Sequence, residues 1–266
     1  MPLAHYSRAA TQEFWTEHWG GQDAAALLAV ARRSPLTALI ERALPERGLV
    51  LEAGCGIGQY VALLRERGRP TVGADWSAEA LARGRRAFPG APLAAMDLGA
   101  LGLRPAAVSA YLSLGVVEHD PDGPGRLLAE AHRVLAPGGR LVLSVPYLNG
   151  ARRIFRPVLA SRHRAVARAG GRFYQFLFTR REVRAFLEAA GFRVLSLTPY
   201  DPARVLRSAL RPLRGGAGAR SESRPGVPDA VPEGRRGARG LARALLYTPP
   251  MLRLLGHMIL AVAVKA

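Results

Sequence analysis

The chain has 266 residues, enough for one large core with an added segment, and its single cysteine, Cys55, excludes a disulfide framework and leaves the scattered histidines without zinc-site spacing. The formal charge of +18 is carried by arginine, Lys265 being the one lysine, and residues 151–256 hold 22 Arg against six Asp and Glu, so that one region accounts for nearly all of the excess. No stretch reaches the ~18 uninterrupted apolar residues of a membrane-spanning helix, and the first ten residues lack the apolar run of a signal peptide, so a soluble, cytoplasmic protein is expected.

Residues 1–44 read as a helical segment carrying Tyr6, Phe14, Trp15 and Trp19. From Gly48 to Pro146, short apolar runs alternate with helix-like segments, as in repeated βαβ units with a parallel sheet. Leu49–Leu51, Thr71–Ala74, Leu93–Met96, Val108–Leu114 and Arg140–Val145 are the predicted strands. Tyr60–Arg67, Ala78–Ala87 and Gly125–Leu135 are the helices between them, and Pro137-Gly138-Gly139 forms the turn into the fifth strand. A helix bearing Arg152, Arg153, Arg156, Arg162, Arg164 and Arg168 follows. Thr179-Arg-Arg-Glu182 is a capping box opening a helix that stops at Gly191, and Phe192–Leu197 and Met258–Val264 are two further strands. Residues 201–255 interrupt them as a basic insertion. Asp201-Pro202 starts a helix there, Pro249-Pro250 breaks the segment Leu241–Leu255, and Gly215–Gly240, with seven Gly and three Pro, is expected to be disordered.

Three acids end consecutive predicted strands, where open α/β sheets bind ligands. Glu52 stands in Glu52-x-Gly54-Cys55-Gly56-x-Gly58, a strand running into a glycine bend. The spacing departs from a dinucleotide fingerprint, since Gln59 takes the place of its third glycine, and an acid beside the loop suits an ammonium group and repels a phosphate. Asp75 is placed to accept both hydroxyls of a ribose, with Trp76 against adenine. Asp97 is placed to accept from the adenine amine, with Met96 packed on the ring.

In order along residues 45–200 and the last strand, these elements resemble the class I S-adenosylmethionine-dependent methyltransferases of the bacterial small-molecule type. Ser113-Leu114-Gly115-Val-Val-Glu-His119 is similar to the family's fourth-strand motif, and Arg133-Val-Leu-Ala-Pro-Gly-Gly139 to the turn before its fifth strand. The resemblance implies a Rossmann-like α/β fold: a seven-stranded, mostly parallel sheet with helices on both faces and the last strand antiparallel. It implies S-adenosylmethionine as cofactor, with Glu52, Gly54, Cys55, Gly56 and Gly58 at its methionine part, Asp75 and Trp76 at the ribose and adenine, Met96, Asp97 and Leu98 at the adenine, and Ser113, Leu114 and Gly115 on the methyl-bearing side. The N-terminal segment resembles the family's aromatic lid, and Tyr6 and Trp15 are its expected contacts.

His119 is the best-placed titratable group for taking an acceptor proton, and it equally suits a role in fixing its loop. Some related enzymes carry an acid two residues beyond the position of Ser113 to hold a metal. Gly115 stands there, so none is expected. The expected acceptor is a small or lipid-like molecule presenting an O, N or C nucleophile. The basic insertion is a candidate for peripheral membrane contact. The charge also invites an RNA-directed methyltransferase, against which no RNA-binding module is found, and a non-catalytic S-adenosylmethionine-binding protein is the third reading.

Overall fold

Strands this rich in aliphatic residues need cover on both faces, and alternating helices supply it. The computed structural model describes residues 1–204 and 244–266. The chain opens with β1 (Leu3–Ser7), α1 (Gln12–Gly20), α2 (Ala24–Arg33) and α3 (Pro35–Ala43). The alternating core follows as β2 (Val50–Ala53), α4 (Gln59–Glu66), β3 (Thr71–Asp75), α5 (Ala78–Ala87), β4 (Leu93–Ala95) and β5 (Val108–Leu114). After a 3-10 turn at Val117–His119 come α6 (Gly125–Val134), β6 (Leu135–Pro146), α7 (Gly150–Ile154), α8 (Arg156–Arg168) and β7 (Arg172–Leu177). Then α9 (Arg180–Ala189), β8 (Phe192–Tyr200), α10 (Pro249–Leu255) and β9 (Met258–Lys265) complete the described chain.

Seven strands form one sheet in the order β4-β3-β2-β5-β6-β9-β8, parallel except for β9, which runs antiparallel to both neighbours. The expected sheet is therefore present, with its seven strands at the predicted places. Side-chain alternation divides two buried clusters between its faces. Tyr111, Leu141, Leu143 and Val145 pack with Leu128 and Ala131 of α6 and with Val183 and Leu187 of α9. Ala110, Leu112 and Val142 point the other way, against Leu36 and Ile40 of α3 and Tyr60 and Leu64 of α4. The capping box forms as read, Thr179 and Glu182 each bonding the other's backbone N–H.

Local signals failed at three places. Strand β6 starts at Leu135, five residues early, because the Pro-Gly-Gly turn is taken inside the strand as a register shift against β5, with Gly138 at φ +71°. Residues 3–7 form a strand rather than helix, pairing antiparallel with β7 from Leu3–Leu177 to Ser7–Arg172. This pairing satisfies both backbones across a separation that no local pattern reveals. Pro249 and Pro250 open α10 instead of breaking a segment, as proline does in a first helical turn. Residues 202–204 are helical as predicted, and the expected disorder at 215–240 lies outside the described residues.

Leu143 is fully buried, whereas Leu195 on β8 is 41% exposed. Leu143→Ala is expected to cost about 2–5 kcal/mol in urea unfolding, and Leu195→Ala less than about 1 kcal/mol, since a surface substitution forfeits little.

Candidate active site

At the end of β2 the chain turns through Gly54–Gly58 into α4. Gly54 and Gly56 hold φ of +80° and +56°, and the space matters as much as the angle. A Cβ on Gly54 would collide with Val116, and one on Gly56 would reach within 2.5 Å of the Trp19 ring. The Gly54 and Cys55 N–H groups donate to the Ala74 carbonyl at 2.8 and 3.1 Å, tying the bend to β3. Asp75 then fastens it from the side. Its Oδ2 accepts from the Gly56 N–H at 2.8 Å and its Oδ1 from the Ser77 N–H at 2.9 Å. Burial raises its pKa, opposed by the N–H groups of Ser77, Gly56 and Trp76. Each oxygen keeps a further lone pair for a hydroxyl donor.

Glu52, the register partner of Gly73 on β3, is buried too, but less well served. Its Oε2 has no hydrogen-bond partner among the described residues. Burial drives its pKa well above the usual carboxylate range, and the charge of Asp75 adds to this against the Val61 N–H. A carboxylate in that position is stabilised by any cation that reaches it.

Both acids border one cavity of about 290 Å³, and so does Asp97, at its outer edge. Asp97 is exposed, accepts from the Gly99 N–H at 2.8 Å, and pairs with Arg126 at 3.3 Å. These contacts hold its pKa below the usual value, the Gly99 N–H foremost.

The cavity is closed by α1, latched to the β3–α5 turn by Gln12 Nε2 donating to the Trp76 carbonyl at 2.7 Å and by Thr16 and Ser77 hydroxyls 2.9 Å apart. Trp15 and Trp19 of this helix border the cavity. The Trp15 ring meets His119 edge-on at 5.0 Å, and His119 meets Tyr174 of β7 at 5.0 Å. His119 Nδ1 lies 2.7 Å from the Tyr174 carbonyl oxygen. A carbonyl only accepts, so the proton is on Nδ1 and Nε2 carries the lone pair. Among the described residues Nε2 has no partner, and burial lowers the imidazole pKa to about 4 against the pull of that carbonyl. The ring is neutral at pH 7.

Of the residues expected at the site, Glu52, Gly54, Cys55, Asp75, Trp76, Asp97, Leu98, Leu114, Gly115, His119 and Trp15 border the cavity. Trp76 is 47% exposed, with room for a ring against it, whereas the Cys55 thiol packs among Val61, Leu81 and Leu93. Five do not border it. Gly56 and Gly58 shape the bend from behind, Met96 packs on the core beneath β4, Ser113 is buried in the sheet opposite Leu143, and Tyr6 stands on β1 against Phe173. Gln59, Tyr60, Val116, Arg126 and Leu127 border the cavity unforeseen. Two of these had a local signal, Gln59 directly after the glycine bend and Val116 within the fourth-strand motif.

A family model for the methyltransferase domain matches residues 28–197. A Mycolicibacterium smegmatis protein named a probable S-adenosylmethionine-dependent methyltransferase is 34% identical over 97 residues, covering 36% of this chain and 37% of that protein. A Mycobacterium tuberculosis protein of the same description matches at 34% over 97 residues, again little more than a third of its own length, at 35%. Among solved structures, geranyl diphosphate C-methyltransferase from Streptomyces coelicolor, in complex with Mg2+, geranyl diphosphate and S-adenosyl-L-homocysteine, superposes with a TM-score of 0.59 at 16% identity over 97% of this chain and 100% of its own. The 1,6-didemethyltoxoflavin-N1-methyltransferase of Burkholderia thailandensis, with bound 1,6-didemethyltoxoflavin and S-adenosylhomocysteine, gives 0.54 at 20% identity over 96% of this chain and 86% of its own. At such identities the likeness is one of fold. Through its methyltransferase domain the chain belongs to the class I S-adenosylmethionine-dependent methyltransferases.

Proposed function

We propose that the protein transfers the methyl group of S-adenosylmethionine to a nucleophilic atom of a small, largely apolar acceptor, with His119 as the base. The observation that carries this is Glu52 Oε2, a buried oxygen without a partner among the described residues at the floor of a cavity shared with Asp75 and Asp97. These residues fit the cofactor. Glu52 and the Gly54–Gly58 bend would hold the methionine amino acid, Asp75 the ribose hydroxyls, and Trp76, Asp97 and Leu98 the adenine. When bound, S-adenosylmethionine supplies a methyl on a cationic sulfur that departs as a neutral thioether.

The chain's own groups then have two tasks. Leu114, Gly115, Val116, Pro121 and Leu127 form an apolar wall that orients an acceptor, and Trp15 and Trp19 keep water out and present ring faces to positive charge. His119 Nε2 receives the acceptor's proton as the new bond to carbon forms, while Nδ1–H stays on the Tyr174 carbonyl. Support for a small acceptor comes from the fold neighbours that carry geranyl diphosphate and 1,6-didemethyltoxoflavin.

Asp75→Ala is expected to weaken S-adenosylmethionine binding in calorimetry by on the order of 100-fold or more, the loss of two hydrogen bonds to a charged group, with the fold retained by circular dichroism. An unchanged affinity removes the assignment. Glu52→Gln is expected to separate binding from stability. Affinity falls, yet the ligand-free variant unfolds no more easily than the parent. Because the folded-state pKa of Glu52 is raised, the parent loses stability as pH rises above the ordinary glutamate value of 4.5, and the variant loses less.

His119→Ala is expected to lower kcat by about 100-fold or more while the cofactor Kd stays within about threefold, a change of less than 1 kcal/mol. In the parent, protonation of Nε2 places the acid limb of kcat/KM near pH 4, not near 6.5. Full activity in the variant would leave alignment alone as the source of rate.

A further inference from the structure

We propose that the outer face of α7 and α8 seats the protein on a membrane surface bearing anionic phospholipid headgroups. The two faces of α8 differ sharply. Inward, Leu159 and Ala160 pack on Leu3, Leu148 and Leu177, and the His163 ring lies 4.4 Å from that of His5 on β1. Outward, Phe155, Val158 and Val166 are 60, 58 and 41% exposed, and Ile154 at the end of α7 is 72% exposed. Helical spacing puts Phe155, Val158, Arg162 and Val166 on one stripe. Water gains nothing from these side chains, and an apolar stripe on the solvent side of a helix whose other side already has its partner marks a contact surface.

Charge identifies the partner. Arg153, Arg156, Arg162, Arg164 and Arg168 are exposed around the stripe, and residues 131–181 contain no Asp or Glu. Among the described residues none of the five is ion-paired. Arginines of this kind lay their methylene stems along apolar neighbours and direct guanidinium groups to phosphate, while the apolar residues enter the acyl boundary. A second copy of the chain would bring the same uncompensated cations face to face. A single-stranded nucleic acid would need stacking platforms, and Phe155 is the one aromatic ring on the stripe. Next to it, Leu254 of α10, 36% exposed, stands against Gly150 of α7 and widens the apolar margin. No helix among the described residues is long and apolar enough to cross a membrane, so the contact is peripheral.

The same layer reaches the active site. Helix α8 packs on β1, β1 pairs with β7, and the Tyr174 carbonyl of β7 holds His119. Docking here brings that layer to the lipid surface whichever acceptor the cavity takes.

The test is co-sedimentation of the full chain with phosphatidylcholine vesicles prepared with and without phosphatidylglycerol, beside the double variant Ile154→Ser, Phe155→Ser. The expected result is binding only to the anionic vesicles, weakened by salt, and reduced by on the order of tenfold or more in the variant through lost apolar insertion. Circular dichroism of the variant should match the parent, as both residues are exposed. No binding to anionic vesicles overturns the proposal. So does binding that the double variant retains, which assigns the attraction to arginines elsewhere, and so does association of the stripe with single-stranded RNA or with a second copy that the variant abolishes while vesicle binding persists.

Discussion

Burying a carboxylate costs several kcal/mol unless something compensates it, and two of them, Glu52 and Asp75, lie under the glycine bend at the carboxyl ends of neighbouring parallel strands. Asp75 is compensated internally, since the N–H groups of Gly56 and Ser77 converge on it. That demand fixes much of the local geometry. The bend must curl back to offer Gly56, the turn into α5 must offer Ser77, and no side chain can intervene at residue 54 or 56. Glu52 lacks equivalent service, and its raised pKa records the deficit. A site built this way stores a preference for a cation inside the ligand-free protein.

The lid and the base depend on the same arrangement. Trp19 covers Gly56, so the helix that carries it is positioned by the bend that Asp75 shapes. Trp15, one turn earlier, touches His119, and His119 is held through Tyr174 on β7. The small β1–β7 sheet therefore links the N-terminal segment, the imidazole tautomer and the arginine-bearing helix α8 into one layer above the cavity.

What could be read from the sequence followed from locality. The parallel sheet was legible because each βαβ unit carries its own periodicity, and Glu52, Asp75 and Asp97 were legible because strand ends are marked by the turns after them. Ser113 does not border the cavity because the wall is made by Leu114, the last residue of β5, and by Gly115 just past it, whereas Ser113 is buried one step back in the sheet opposite Leu143. Tyr6 belongs to a strand whose partner lies about 170 residues away, a separation consistent with the pairing of Leu3 with Leu177. Arg126 reaches Asp97 from another helix, a contact made by the folded sheet and by no sequence pattern.

The most direct measurement is a crystal structure of the protein with S-adenosylhomocysteine. The account predicts the ligand's ammonium group within hydrogen-bonding distance of Glu52, at the oxygen that has no partner among the described residues, and its ribose hydroxyls on Asp75. A ligand bound elsewhere, or one whose ammonium group leaves Glu52 unengaged, would contradict it.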